Sequence, residues 1–113
     1  MNKFLDKRFS LREKRVQRTY ELEDELFDFL KYASKKYRAS VSDILNACIR
    51  ELIESKNLKV YKSKKGVLYP AHNFNVNESN IRGLGDLKQE TTYKMTALVS
   101  MAIRNVMEME EEE

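Results

Sequence analysis

The pattern of apolar and polar positions passes from a strand period to a helical one twice along the chain, in the same order each time. In VQRTYEL (16–22) Tyr20 and Leu22 fall on one face and Gln17, Thr19 and Glu21 on the other, the period-two pattern of a half-buried strand. From Glu23 to about Tyr37 the apolar residues are Leu26, Phe27, Leu30, Ala33 and Tyr37, a helical stripe with Glu23, Asp24 and Glu25 in its first turn, where acids suit the helix dipole. Arg38-Ala39-Ser40-Val41 interrupts that stripe. Ser42 then stands as the expected N-cap of a second helix with Ile44, Leu45, Cys48, Ile49, Leu52 and Ile53 on its buried face, ending near Lys56-Asn57. A connector over roughly 57–70 mixes lysines with Val60, Tyr61, Val67, Leu68 and Tyr69, in a form suited to a small hairpin or an extended strap. His72, Phe74 and Val76 next alternate with Asn73 and Asn75 as a second strand, and Asn77 can cap a third helix. Gly83 and Gly85 weaken that helix, each by about 1 kcal/mol relative to alanine, so it is expected to be short or bent. The last helix is strong, with Thr96 as cap and Leu98, Val99, Ala102, Ile103, Val106 and Met107 on its stripe.

Residues 19–54 and 73–108 follow one pattern at a constant offset of 54, without a gap. SVSDILNACIRELIE (40–54) lies over KMTALVSMAIRNVME (94–108). Upstream, Tyr20 and Leu22 lie over Phe74 and Val76, Phe27 over Ile81, Leu30 over Leu84 and Ala33 over Leu87. Only Leu30/Leu84, Ile49/Ile103, Arg50/Arg104 and Glu54/Glu108 are identical, so what repeats is the hydrophobic pattern rather than the residues. Two helices could match by accident; strand, helix, turn and helix in one register point to two copies of a single supersecondary unit.

At 113 residues the chain is one small domain, or two units too short to be independently stable that share a core. Its apolar runs are far below membrane-spanning length, and MNKFLDKRFSLREKR lacks the apolar stretch of a signal sequence, so a cytoplasmic location is expected. One cysteine excludes an internal disulfide, and Cys48 reads as a small buried hydrophobe.

The net charge of +3 hides an asymmetry, because MEMEEEE at the end holds five of the 18 acids; residues 1–107 carry 21 basic against 13 acidic side chains, or +8. Basic charge gathers in the N-terminal arm (Lys3, Lys7, Arg8, Arg12, Lys14, Arg15, Arg18) and in the connector (Lys56, Lys59, Lys62, Lys64, Lys65). Nucleic acid is the natural partner of such a surface, although basic charge alone can serve solubility. The acidic end reads as a disordered solubilising tail.

Strand, helix, short turn and helix in each copy resemble the ribbon-helix-helix family of DNA-binding proteins (the MetJ/Arc type). The resemblance covers residues 16–56 and 70–108, with a basic arm at 1–15, a basic connector at 57–69 and an acidic tail at 109–113. The proline common at the start of the family's first helix is replaced by Glu23 and Asn77, and the glycine of the inter-helix turn by Arg38 and Thr92. The resemblance implies a mostly α fold with a short two-stranded antiparallel ribbon, the two units pairing as an intramolecular pseudodimer; an exchange of units between chains is the alternative. One strand exposes its backbone edge and one helix pair cannot cover its own stripe, so such a unit must pair. About 14 linker residues reach roughly 45 Å, enough to let it do so within the chain.

A two-stranded ribbon fits the major groove with its outer face toward the bases. By alternation Gln17, Thr19 and Glu21 would contact bases from the first strand and Ala71, Asn73 and Asn75 from the second, each strand reading its own half of an asymmetric site. Asn and Gln can bond adenine bidentately, Thr can bond several bases or touch a thymine methyl, and Glu can accept from cytosine. Glu21 could equally pair with Arg18. Phosphates would meet the helix N-termini at Ser42-Asp43 and Thr96-Ala97, with Arg15, Arg18, Lys62, Lys64 and Lys65 adding charge.

No enzymatic activity, metal or cofactor is expected. The single histidine, His72, falls on the inward side of a strand, metal-ligand spacing is absent, and Gly83-x-Gly85 follows no strand in the nucleotide-binding manner. The functional expectation is double-stranded DNA binding by a transcriptional repressor that controls its own operon. The alternatives are a TraY-like relaxosome accessory protein at a plasmid transfer origin, with a relaxase as partner, and an antitoxin or protein-interaction module. Self-association on DNA and a nucleoid or plasmid location accompany the DNA-binding readings.

Overall fold

The computed structural model describes residues 13–61, 66 and 68–112. In chain order they form β1 (Arg15–Glu21), α1 (Asp24–Tyr37), α2 (Val41–Ser55), β2 (Ala71–Asn77), α3 (Glu78–Glu90) and α4 (Met95–Glu112). The fold is mostly helical, with β1 and β2 paired as a two-stranded antiparallel sheet.

The register of that sheet follows the repeat. Thr19 stands opposite Asn73, its own counterpart 54 positions on, and the pairs Gln17/Asn75 and Glu21/Ala71 flank it symmetrically. The backbone bond from Leu22 N–H to Pro70 O (3.0 Å) extends the ladder at one end. Tyr20, Leu22, Phe74 and Val76 turn inward, and they meet one continuous core with Leu26, Leu30, Ile44, Leu45, Cys48, Ile49, Leu52, Leu84, Leu98, Val99, Ala102, Ile103 and Val106. Each helical stripe read from the sequence faces this core; Phe27, Tyr37, Ile53 and Met107 are its half-buried margin.

Several helix ends differ from expectation. The N-cap of α2 is Ser40, two residues before Ser42: Ser40 Oγ accepts from Asp43 N–H (3.0 Å) and Asp43 Oδ2 accepts from Ser40 N–H (3.2 Å), a reciprocal capping box. Ser42 is drawn elsewhere, its hydroxyl accepting from Asn75 N–H at 2.9 Å. Thr96 lies inside the first turn of α4, which begins at Met95 with Leu98 N–H bonded to Lys94 O, so it does not cap either. Asn77 holds the N-cap position of α3, but its side chain accepts from Arg15 Nε (2.8 Å) instead of capping. Between α1 and α2, Arg38 adopts φ 54°, the left-handed conformation that glycine favours, and its N–H closes the helix on Ser34 O.

Two further findings concern the connector and the tail. The described start of the connector is bound to α4: Tyr61 Oη donates to Asn105 Oδ1 (3.0 Å), Asn105 Nδ2 to Asn57 O (2.8 Å), and Lys59 Nζ to Glu108 (2.9 Å). Residues 109–112, expected to be disordered, continue α4, and Glu110 accepts from Lys36 Nζ (2.9 Å) and Tyr37 Oη (2.5 Å) at the end of α1. Burial and this carboxylate push the Tyr37 phenol up to about 12.

The glycines do not shorten α3, which runs unbroken for 13 residues. Gly83 is there because α2 passes close by: a Cβ at this position would lie 2.4 Å from Ile53 Cδ1, whereas one at Gly85 would meet open space. The two positions therefore separate helix propensity from packing. Gly85→Ala is expected to raise stability by up to about 1 kcal/mol. Gly83→Ala should lower it by about 1 kcal/mol, the overpacking cost exceeding the propensity gain, whereas in an Ile53→Ala background the same change should raise stability relative to Ile53→Ala alone. Urea unfolding of the natural protein and these four variants measures this.

Candidate nucleic-acid interface

The outward parity of the ribbon carries Gln17, Thr19, Glu21, Ala71, Asn73 and Asn75, and all six are exposed. Nothing in the helices covers this face because the opposite parity supplies the core contacts. At its centre Thr19 Oγ1 donates to Asn73 Oδ1 at 2.5 Å. That bond leaves the Asn73 amide N–H groups as its outward function.

The register changes how the six residues are grouped. They do not divide strand by strand, as alternation alone suggested, because antiparallel pairing sets the start of one strand against the end of the other. One end of the face carries two amides, Gln17 and Asn75; the other carries a carboxylate and a methyl, Glu21 and Ala71. The repeat relates Gln17 to Ala71 and Glu21 to Asn75, so the two ends are equivalent in position and unlike in chemistry. Arg18 is exposed and donates to the Gln17 carbonyl (3.0 Å) rather than pairing with Glu21.

Beside the amide end, the N-terminus of α2 is closely tied to β2. Asn46, which the sequence reading passed over, donates to Ser42 O and Asn75 O (both 2.9 Å) and accepts from Asn77 N–H (2.8 Å) and from Asn80 Nδ2 (2.9 Å). Asn80 is fully buried where the first copy has Leu26. The only sequence sign of this cluster was that Asn46 and Asn80 fall at buried phases of their helices. Arg15, expected at phosphate, bridges Asn77 and Asp43, with its Nη2 2.7 Å from Asp43 Oδ1. Burial raises the Asp43 carboxyl, but Arg15 and the Ser40 N–H outweigh this and hold it below the usual carboxylate value. Arg15 and Asp43 are thus engaged with each other, and the Asp43 N–H with Ser40.

The corresponding positions of α4, Thr96 and Ala97, are half-buried and carry no acid nearby in the first turn. Lys94, just ahead of them, is exposed. Lys62, Lys64 and Lys65, together with the arm up to Arg12, lie outside the described residues. From the end of the arm, Glu13 reaches Ser79, whose hydroxyl and N–H draw its carboxyl below the usual value.

The chemistry-bearing side chains are otherwise packed. His72 stacks on Phe27 with ring centroids 3.7 Å apart and planes 4° from parallel. Cys48 is fully buried, and burial pushes its thiol well above the ordinary range, out of nucleophilic use. Among the described residues no group of three or more His, Cys, Asp or Glu could hold a metal ion, and no helix is long and apolar enough to cross a membrane. No protein-family model, curated protein or solved structure matches the chain.

The Arg15–Asp43 pair yields a pH dependence. Because the folded carboxyl titrates below its unfolded value of about 3.9, its contribution is complete at neutral pH, and it is lost as the pH falls through the folded value. Asp43→Asn should be less stable than the natural protein by roughly 1–3 kcal/mol at pH 7, as expected for a broken charged hydrogen bond, and the difference should shrink toward pH 3. Urea titrations across that range test it.

Proposed function

We propose that this protein binds double-stranded DNA in a sequence-specific manner, inserting the β1–β2 ribbon into the major groove, as a tandem ribbon-helix-helix protein whose two units form an intramolecular pseudodimer. The observation that carries the reading is the ribbon: two short strands, one from each copy of the repeat, present six exposed side chains on one face while the other face turns Tyr20, Phe74 and Val76 into the core. A two-stranded ribbon is one of the few elements that the major groove admits. The excess of basic residues outside the acidic end supplies the nonspecific attraction. Reciprocal contacts between the copies support the pseudodimer. Arg50 reaches Ser79 at the start of α3 (2.6 Å), and its counterpart Arg104 reaches Glu23 and Glu25 at the start of α1 (3.0 and 3.6 Å).

The amide end of the face reads adenine through Gln17 and Asn75, and the Glu21/Ala71 end takes a different base pair, so the preferred site has no twofold symmetry. The biological role that fits is transcriptional repression.

Selection of sites from a random duplex library at about 150 mM salt, where nonspecific binding is suppressed, tests this. The natural protein should yield one asymmetric motif. Gln17→Ala/Asn75→Ala should lose preference at one end of it, at a cost of roughly 10- to 100-fold in affinity. Glu21→Ala should alter only the opposite end. Failure to enrich any motif overturns the reading.

A further inference from the structure

The repeat predicts that whatever surrounds the start of α2 should recur around the start of α4, and it does not. At α2 the space beside the strand is filled: the Arg15 guanidinium spans Asn77 and Asp43, and Asn46 makes its four bonds between helix and strand. Moving 54 positions on replaces Arg15 by Tyr69, Asp43 by Ala97 and Asn46 by Ser100. A cleft of about 490 Å³ lies there, between α4, the turn that precedes it, Glu23 at the start of α1 and the described ends of the connector.

Its lining is chemically coherent. Tyr61, Tyr69 and Tyr93 contribute phenol rings and Met101 a thioether. Two of the charges at its wall are matched: Arg104 pairs with Glu23, Tyr69 Oη donates to Glu23 Oε1 (2.9 Å), and the Arg104 guanidinium lies 5.5 Å from the centroid of the Tyr61 ring; a third, Lys94, is exposed. One polar atom is left over. Ser100 Oγ is buried and has no hydrogen-bond partner, although Ser100 lines the cleft. Buried hydroxyls without partners are uncommon, and each calls for an explanation.

We propose that this cleft is a binding site for a small, planar aromatic molecule that stacks among the tyrosines and forms a hydrogen bond with Ser100 once that hydroxyl, buried in the free protein, turns into the cleft. The volume falls within the range of small-molecule sites, roughly 300–1,000 Å³. Rings suit a wall of phenols and a thioether. The site has no counterpart at the start of α2, and its lining includes Thr96 and Ala97, the residues expected to meet phosphate in the second copy.

The test is titration of the isotope-labelled full chain with indole, followed by amide chemical shifts. Saturable shifts should cluster at Tyr69, Tyr93 and residues 96–104. Ser100→Met, which fills the cleft, should weaken binding at least tenfold, and Ser100→Val, which removes only the hydroxyl, should weaken it severalfold; thermal unfolding of each variant establishes that it folds. Absence of saturable shifts, shifts centred elsewhere, or unchanged binding by both folded variants overturns the proposal. So does a free protein in which contacts to Ser100 show the cleft filled by the chain's own connector.

Discussion

The structure depends on the pairing of β1 with β2. Each strand on its own would leave a row of unpaired backbone groups, and each pair of helices would leave an apolar stripe in water. Bringing the strands together satisfies the first need and, because their inner residues are Tyr20, Leu22, Phe74 and Val76, starts the core that satisfies the second. The residues that follow the strands then cross over. Glu23, after β1, is held by Tyr69 and Arg104, and Asn77, after β2, is held by Arg15. These are equivalent positions in the repeat, so the same corner is locked twice with different chemistry.

That difference runs through the molecule. The first copy keeps its helix packing apolar at Leu26, while the second places Asn80 there and joins it to Asn46, giving a buried polar cluster that fixes β2 against α2 and α3. Directional bonds of this kind specify one arrangement more strictly than apolar contact does, although Asn80 Oδ1 is left without a partner. The corresponding corner around Ser100 is looser and holds the cleft. The two ends of the ribbon and the two corners thus occupy matching positions and differ in chemistry.

Much of this was legible in the sequence because periodicity reports burial directly. The order of elements, the inner face of each strand and the helical stripes follow from spacing alone. What spacing could not convey was where short polar side chains find partners. Ser42 looked like a cap because it precedes the stripe, yet Ser40 can close a box with Asp43 and Ser42 is taken by the strand edge. Gly83 looked like a helix breaker because its neighbour, Ile53, is 30 positions away. The MEMEEEE end looked solvated because Lys36 and Tyr37, which receive Glu110, belong to another helix. The grouping of candidate contact residues along the ribbon depended on the strand register, and that is a property of two segments together.

The connector has a thermodynamic consequence. Because β1 and β2 belong to one polypeptide, their association is unimolecular, and stability does not depend on how much protein is present. A tether of this length gives the second strand an effective concentration in the millimolar range. Lengthening the tether costs little, since doubling a loop adds only about 0.6 kcal/mol of closure entropy. Severing it would be different in kind. A single cut in the connector would make assembly bimolecular, so that dilution alone could separate the strands.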